Sequence, residues 1–180
     1  MKSTGIVRRI DSLGRVVIPK EIRKTMRIKD GDPLEIYTSK EGEVIFKKYS
    51  LLGGLSEFAA QVCEILHKTT GRVAVVTDRD ACIAVAGASR RELLDKLLSD
   101  PLEEILRGRR LYQFEPGQRP VQISESNNRL FLSCAAPILS EGDILGCVLF
   151  AGEEERLDAG EVEYKLLQTM SAFLGRHMEG

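Results

Sequence analysis

Apolar positions along this 180-residue chain change their spacing from stretch to stretch, and each spacing predicts an element. In RRIDSLGRVVIPKEIRK, residues 8–24, the apolar run Val16, Val17 and Ile18 follows DSLG, where Asp11 opens a turn and Gly14 closes it. A strand is predicted from Thr4 to Ile10, a second from Arg15 to Ile18, and a short helix with Pro19 at its first position. PLEIYT and EVIFKK then alternate as a second hairpin, with Gly42 supplying the bend.

After this β-rich stretch the spacing becomes helical. Leu55, Phe58, Ala59, Val62, Ile65 and Leu66 form one stripe that Gly71 ends. RVAVVT and CIAVAG predict a hairpin around DRDA. SRRELLDKLL and PLEEILRG predict two helices, the second opened by Asp100, Pro101 and Glu103 in the pattern of a capping box. RPVQIS, RLFLSCAAPIL and ILGCVLFAG predict strands, the last two joined by SEGD. A final helix starts with Asp158 and Glu161 at cap spacing and sets Val162, Leu166, Met170, Phe173 and Leu174 on one face. The order of elements is that of an α+β protein.

Gly53 and Gly54 mark a hinge, dividing the chain into residues 1–53 and 54–180. A piece of about fifty residues without a metal or disulfide cannot bury its apolar surface alone, so residues 1–53 are expected to form a homodimer. Net charge for the whole chain is −1, which gives no reason for a polyanionic partner, but the halves differ. Residues 1–50 hold twelve Lys and Arg against seven Asp and Glu, a net of +5, which leaves −6 for residues 51–180. Six of the cations, Arg8, Arg9, Arg15, Lys20, Arg23 and Lys24, fall within seventeen residues around one turn and one helix start. Such a cluster attracts phosphates through counterion release, or is a solvated basic face.

Cys63, Cys82, Cys134 and Cys147 are scattered in apolar runs, without CxxC spacing or histidines placed to complete a zinc site, and read as buried reduced thiols. His67 and His177 sit near helix ends, where partial positive charge suits the helix dipole. DRD at 78–80 has too few carboxylates for a calcium loop, and GEEE at 152–155 reads as a solvated loop. No catalytic residue, metal or cofactor is expected. Neither a hydrophobic leader nor a membrane span is read in the chain, so the expectation is a cytoplasmic protein.

Residues 1–50, through STGIVRRIDSLGRVVIPKEIR and GDPLEIYTSKEGEVIFKKY, resemble the AbrB family of transition-state regulators. RVAVVTDRDACIAVAG and CAAPILSEGDILGCVLFAG resemble a GAF-type sensor domain. The first resemblance implies a swapped-hairpin dimer that binds double-stranded DNA, with Arg8, Arg15 and Arg23 at DNA-facing positions. Lys24 departs from the arginine frequent there; it keeps the charge and loses the bidentate fork. Together the two imply a transcription regulator of sporulation genes in spore-forming bacteria, modulated or assembled through the GAF-like domain. Flanking helices of such domains commonly pair between subunits, which implies a homotetramer, and the fold offers room for a small-molecule ligand whose residues the sequence does not mark. Two other readings remain open: a GAF-type cysteine-dependent reductase, and an antitoxin-like assembly module.

Overall fold

A computed structural model describes residues 4–49 and 56–178; the expected hinge at Gly53 and Gly54 and the helix start at Leu55 lie outside them. The chain separates into two compact units, Met1–Tyr49 and Ser50–Gly180.

The first unit has helix α1 (Lys20–Thr25) and strands β1 (Leu34–Thr38) and β2 (Val44–Lys48), which pair antiparallel from Leu34↔Lys48 to Thr38↔Val44. Pro19 is the residue before the first helical one, with φ −57°, not the first helical residue itself. The turn forms as expected: Gly14 N–H donates to the Asp11 carbonyl at 3.0 Å, and Gly14 takes φ +76°, a value that favours glycine. The predicted strands at 4–10 and 15–18 are absent from the single chain. A strand needs a neighbouring ladder, and this segment has no strand partner among the described residues. Pro19 is the one buried residue among the described residues up to Tyr49. Val7, Ile10, Leu13 and Val17 are 89%, 69%, 72% and 71% exposed.

The second unit is a five-stranded antiparallel sheet in the order β4-β3-β7-β6-β5, built from β3 (Val73–Asp78), β4 (Cys82–Ala86), β5 (Tyr112–Gln113), β6 (Phe131–Ser140) and β7 (Asp143–Gly152). Alternation along each strand sends side chains to two separate cores. On one face Ala74, Val76, Ala84, Val148 and Phe150 meet α2 (Ser56–Thr70) and α5 (Glu161–His177) through Val62, Leu66, Leu167 and Leu174. Small residues there admit the helices closely. A Cβ on Gly175 would stand 2.1 Å from the Leu139 carbonyl oxygen, so α5 reaches the β6 backbone only because that position lacks a side chain. On the other face Val75, Leu132, Cys147 and Leu149 meet α3 (Arg90–Leu93), α4 (Asp100–Arg107) and connecting segments through Leu93, Leu98, Leu102 and Ile123.

Several local expectations change. The helix predicted over 89–98 stops at Leu93, because Leu97 then bridges to Ala81 and Lys96 accepts a bond from Cys82 N–H. The cap of α4 is Ser99, whose Oγ accepts Leu102 N–H at 3.3 Å; Asp100 is already helical, and Glu103 is buried beside Arg107 at 3.3 Å. The cap of α5 is Gly160, whose N–H donates to Glu163 at 3.0 Å, in place of Asp158 with Glu161. RPVQIS forms one isolated bridge, Gln122↔Phe131, and no strand, because Ile123 turns into the second core and its carbonyl accepts Ser99 N–H. The expected face of α5 splits: Leu174 is buried, Leu166 and Met170 are half-buried, and Val162 and Phe173 are 69% and 50% exposed.

Candidate nucleic-acid interface

The basic cluster is positioned by the turn and by α1. Arg8 and Arg9 precede the turn and Arg15 leaves it, all exposed. Lys20, Arg23 and Lys24 stand at i, i+3 and i+4 of α1, which puts them on one helix face. Arg8, Arg9, Lys20 and Lys24 have no carboxylate partner among the described residues. Arg23 differs. Its Nη1 donates to Asp30 Oδ1 at 2.5 Å, its side chain is 37% exposed, and its Nε is buried without a hydrogen-bond partner among the described residues. Half of that guanidinium therefore ties α1 to the loop before β1.

The carboxylate beside Arg15 was missed by a reading that counted cations. Asp11 Oδ1 accepts the backbone N–H groups of Leu13 and Arg15, each at 2.9 Å, and Oδ2 accepts Arg15 Nε at 2.8 Å. Those bonds, with the Arg15 N–H first and its side chain next, hold the Asp11 carboxyl below the usual range, so it is charged at neutral pH. The available signal was Asp four residues before Arg across a glycine turn. Asp32 is a second anchor: it accepts Lys29 N–H at 2.9 Å and pairs with Lys48 at 3.4 Å, fastening β2 to the loop before β1.

In the second unit the polar expectations resolve into structural roles. His67 Nδ1 lies 2.7 Å from the Arg72 carbonyl, and the His177 ring stacks on Phe58 at 4.9 Å. Asp78 Oδ1 accepts the N–H groups of Asp80 and Ala81, which is turn chemistry. From the GEEE stretch, Glu153 pairs with Arg129 at 3.2 Å. Among the described residues, no three of His, Cys, Asp or Glu converge as a metal site, and no helix is long and apolar enough to cross a membrane.

All four cysteines are free and buried. Burial pushes the thiols of Cys63, Cys134 and Cys147 up to about 12, and that of Cys82 higher still. Only about one thiol in ten thousand would be ionised at pH 8 with such a value, and the thiolate is the nucleophile. A thiol reagent at pH 8 is expected to leave the folded protein almost unlabelled over a time in which the denatured chain reacts at all four sites; rapid labelling of one cysteine in the folded state would contradict this.

The sheet face beneath α3 and α4 is filled by Leu93, Leu98, Leu102, Ile123 and Leu132, each 0% exposed. Clefts among the described residues are lined by other side chains. One of about 820 Å³ is lined by Arg72, Arg129, Glu92, Glu153 and Glu163, whose charges answer one another: Arg72–Glu163 at 3.1 Å, Arg129–Glu92 at 3.6 Å and Arg129–Glu153 at 3.2 Å.

Comparison with known proteins gives matches to two families, two relatives and a solved structure. Residues 54–179 match the family described as stage V sporulation protein T C-terminal, transcription factor, and residues 7–50 match antidote-toxin recognition MazE, a bacterial antitoxin family. Stage V sporulation protein T of Bacillus subtilis (strain 168) is 43% identical over 180 residues, 99% of either chain. The transition state regulatory protein AbrB of the same organism is 61% identical over 49 residues, 27% of this chain and 50% of that one. The GAF domain of PixJ from Thermosynechococcus elongatus, in its blue-light absorbing form, superposes with a TM-score of 0.55 at 13% identity, over 73% of this chain and 89% of that one, which shows the shared fold.

Proposed function

The chain belongs to the stage V sporulation protein T family of transcription factors, and from that premise we propose that it regulates sporulation genes by binding double-stranded DNA through the cations of its AbrB-like N-terminal domain. The observation that carries this reading is the basic turn and helix in a domain 61% identical to AbrB, with Arg8, Arg9, Arg15, Lys20 and Lys24 exposed. Arg8, Arg15 and the outer part of Arg23 supply phosphate and groove contacts, with Arg9, Lys20 and Lys24 beside them. The near absence of buried side chains up to Tyr49 supports a homodimer in which the hairpins of two chains complete each other's sheet.

A division into two domains, which the proposal sets at residues 53 and 54 beside the compact units Met1–Tyr49 and Ser50–Gly180, allows the second domain to modulate the first or assemble it further. The surfaces available for assembly are Ile65 on α2, 57% exposed, and Val162 and Phe173 on α5. Pairing of these helices between subunits would link two DNA-binding dimers in a homotetramer, raising avidity by roughly 10² to 10⁴ where two DNA sites can be spanned. The protein acts in the cytoplasm at the nucleoid and is not an enzyme; the four buried thiols argue against the reductase reading. The match of residues 7–50 to an antitoxin family favours an antitoxin-like module as the second reading, but a folded sheet domain follows that segment where a toxin-binding tail would be disordered.

Arg15→Ala is expected to weaken DNA binding by about 1–3 kcal/mol through loss of a base contact, with far-UV circular dichroism and the mass of the assembly unchanged. Binding equal to the parent's at every salt concentration would remove Arg15 from the interface.

A further inference from the structure

Arg15 is not a free cation on a loop. Its Nε is engaged by Asp11 Oδ2 at 2.8 Å, while Asp11 Oδ1 is locked into the turn by two backbone N–H groups at 2.9 Å, and Gly14 at φ +76° sets the path between them. A guanidinium has two edges that can bind in a bidentate manner, one made by Nε with an Nη and one by the two Nη groups. Holding Nε turns the side edge toward the carboxylate and leaves the Nη pair projecting from a side chain that is 70% exposed. That pair matches the O6 and N7 acceptors of guanine in the major groove.

We propose that Asp11 is a specificity-determining residue: it positions Arg15 so that the terminal fork of the guanidinium reads a guanine instead of settling on a phosphate. This deepens the DNA-binding reading above and rests on it. The physical reason is preorganisation. An unanchored arginine loses rotamer freedom on reaching one base edge, and it meets phosphate oxygens at many more angles; a second-residue carboxylate removes that freedom beforehand and repels the adjacent backbone phosphates. Asp11 thus lowers affinity for arbitrary DNA while raising the preference for one sequence.

The experiment uses the full-length protein, a duplex enriched by the parent from a randomised library, and a scrambled duplex of equal length and composition. The ratio of the two Kd values measures selectivity. Asp11→Asn keeps an oxygen acceptor for the turn and loses the ion pair to Nε. It is expected to lower the ratio about tenfold, within the range that one bidentate base contact supplies, and to tighten binding to the scrambled duplex. Asp11→Glu keeps the charge and displaces it by one methylene, so the ratio is expected to fall without tighter binding to scrambled DNA. In an Arg15→Ala background, Asp11→Asn should change the ratio no further. An unchanged ratio in both single variants, or an equal loss with Arg15 already absent, overturns the positioning role. Arg15→Ala binding both duplexes like the parent overturns instead the assignment of this turn to DNA.

Discussion

Residues 1–53 expressed alone are expected to sediment as a dimer and to lose their secondary structure as they dissociate. The reason is the near absence of a core in one copy. Ile6, Val7, Ile10, Val16, Val17, Ile36, Val44 and Phe46 are all more than 40% exposed, while Pro19 is the one buried described residue up to Tyr49. Burying a single Val, Ile or Phe is worth about 1.5–3 kcal/mol, so leaving eight such side chains wet forfeits more than a fragment of this size can recover from one hairpin and six helical residues. Pairing residues 4–10 and 15–18 with a second copy would supply both the missing ladder and cover for these side chains. Far-UV circular dichroism should therefore fall with dilution, and DNA binding should persist at high concentration with lower affinity than the full chain. A folded monomer in sedimentation would show that the exposed residues need no partner copy.

Val62→Glu is expected to unfold the C-terminal domain. Val62 is 2% exposed and packs with Ala59, Cys63 and Leu66 onto the sheet face that contains Ala74 and Phe150. A carboxylate there has no partner in the surrounding cluster, and burial of an unpaired charge costs about 4 kcal/mol or more, a large fraction of the about 5–15 kcal/mol that holds an ordinary domain together. Ile65→Glu, three residues along the same helix at a position 57% exposed, should leave the domain folded and test the assembly surface instead. Light scattering is expected to report dimers in place of tetramers for Ile65→Glu, with weaker binding to long DNA and little change on one short site. If Val62→Glu melts like the parent, the assignment of α2 to the internal core is wrong. If Ile65→Glu keeps the parent's mass, the exposed stripe does not carry assembly.

The contrast between Val62 and Ile65 marks the limit of periodicity as a guide. Helical spacing placed both in one apolar stripe, yet a helix on a sheet has one inward direction, set by the β3 and β4 side chains it meets, and Ile65 falls outside it. The same holds for α5, where Leu167 and Leu174 face the sheet and Val162 and Phe173 do not. Caps moved by one or two residues, from Asp100 to Ser99 and from Asp158 to Gly160, because the position at which the helix begins depends on how the preceding segment arrives. Ser99 is held where it is by its bond to the Gln122 carbonyl, twenty-three residues away in sequence.

What the sequence determined by itself is local. The turn from Asp11 to Gly14, the hairpin of β1 and β2, the courses of β3, β4, β6 and β7, the burial of the four cysteines and the clustering of six cations all follow from alternation, turn chemistry and composition over a few residues. Tertiary structure alone decided the roles that depend on distant or directional contacts. It filled one sheet face with leucines, gave Arg23 to Asp30, and left the strands predicted at 4–10 and 15–18 without a ladder among the described residues of one chain. The physical reason is that a strand, a buried face and an oriented guanidinium are each defined by a partner, and the spacing of residues along one chain does not name the partner.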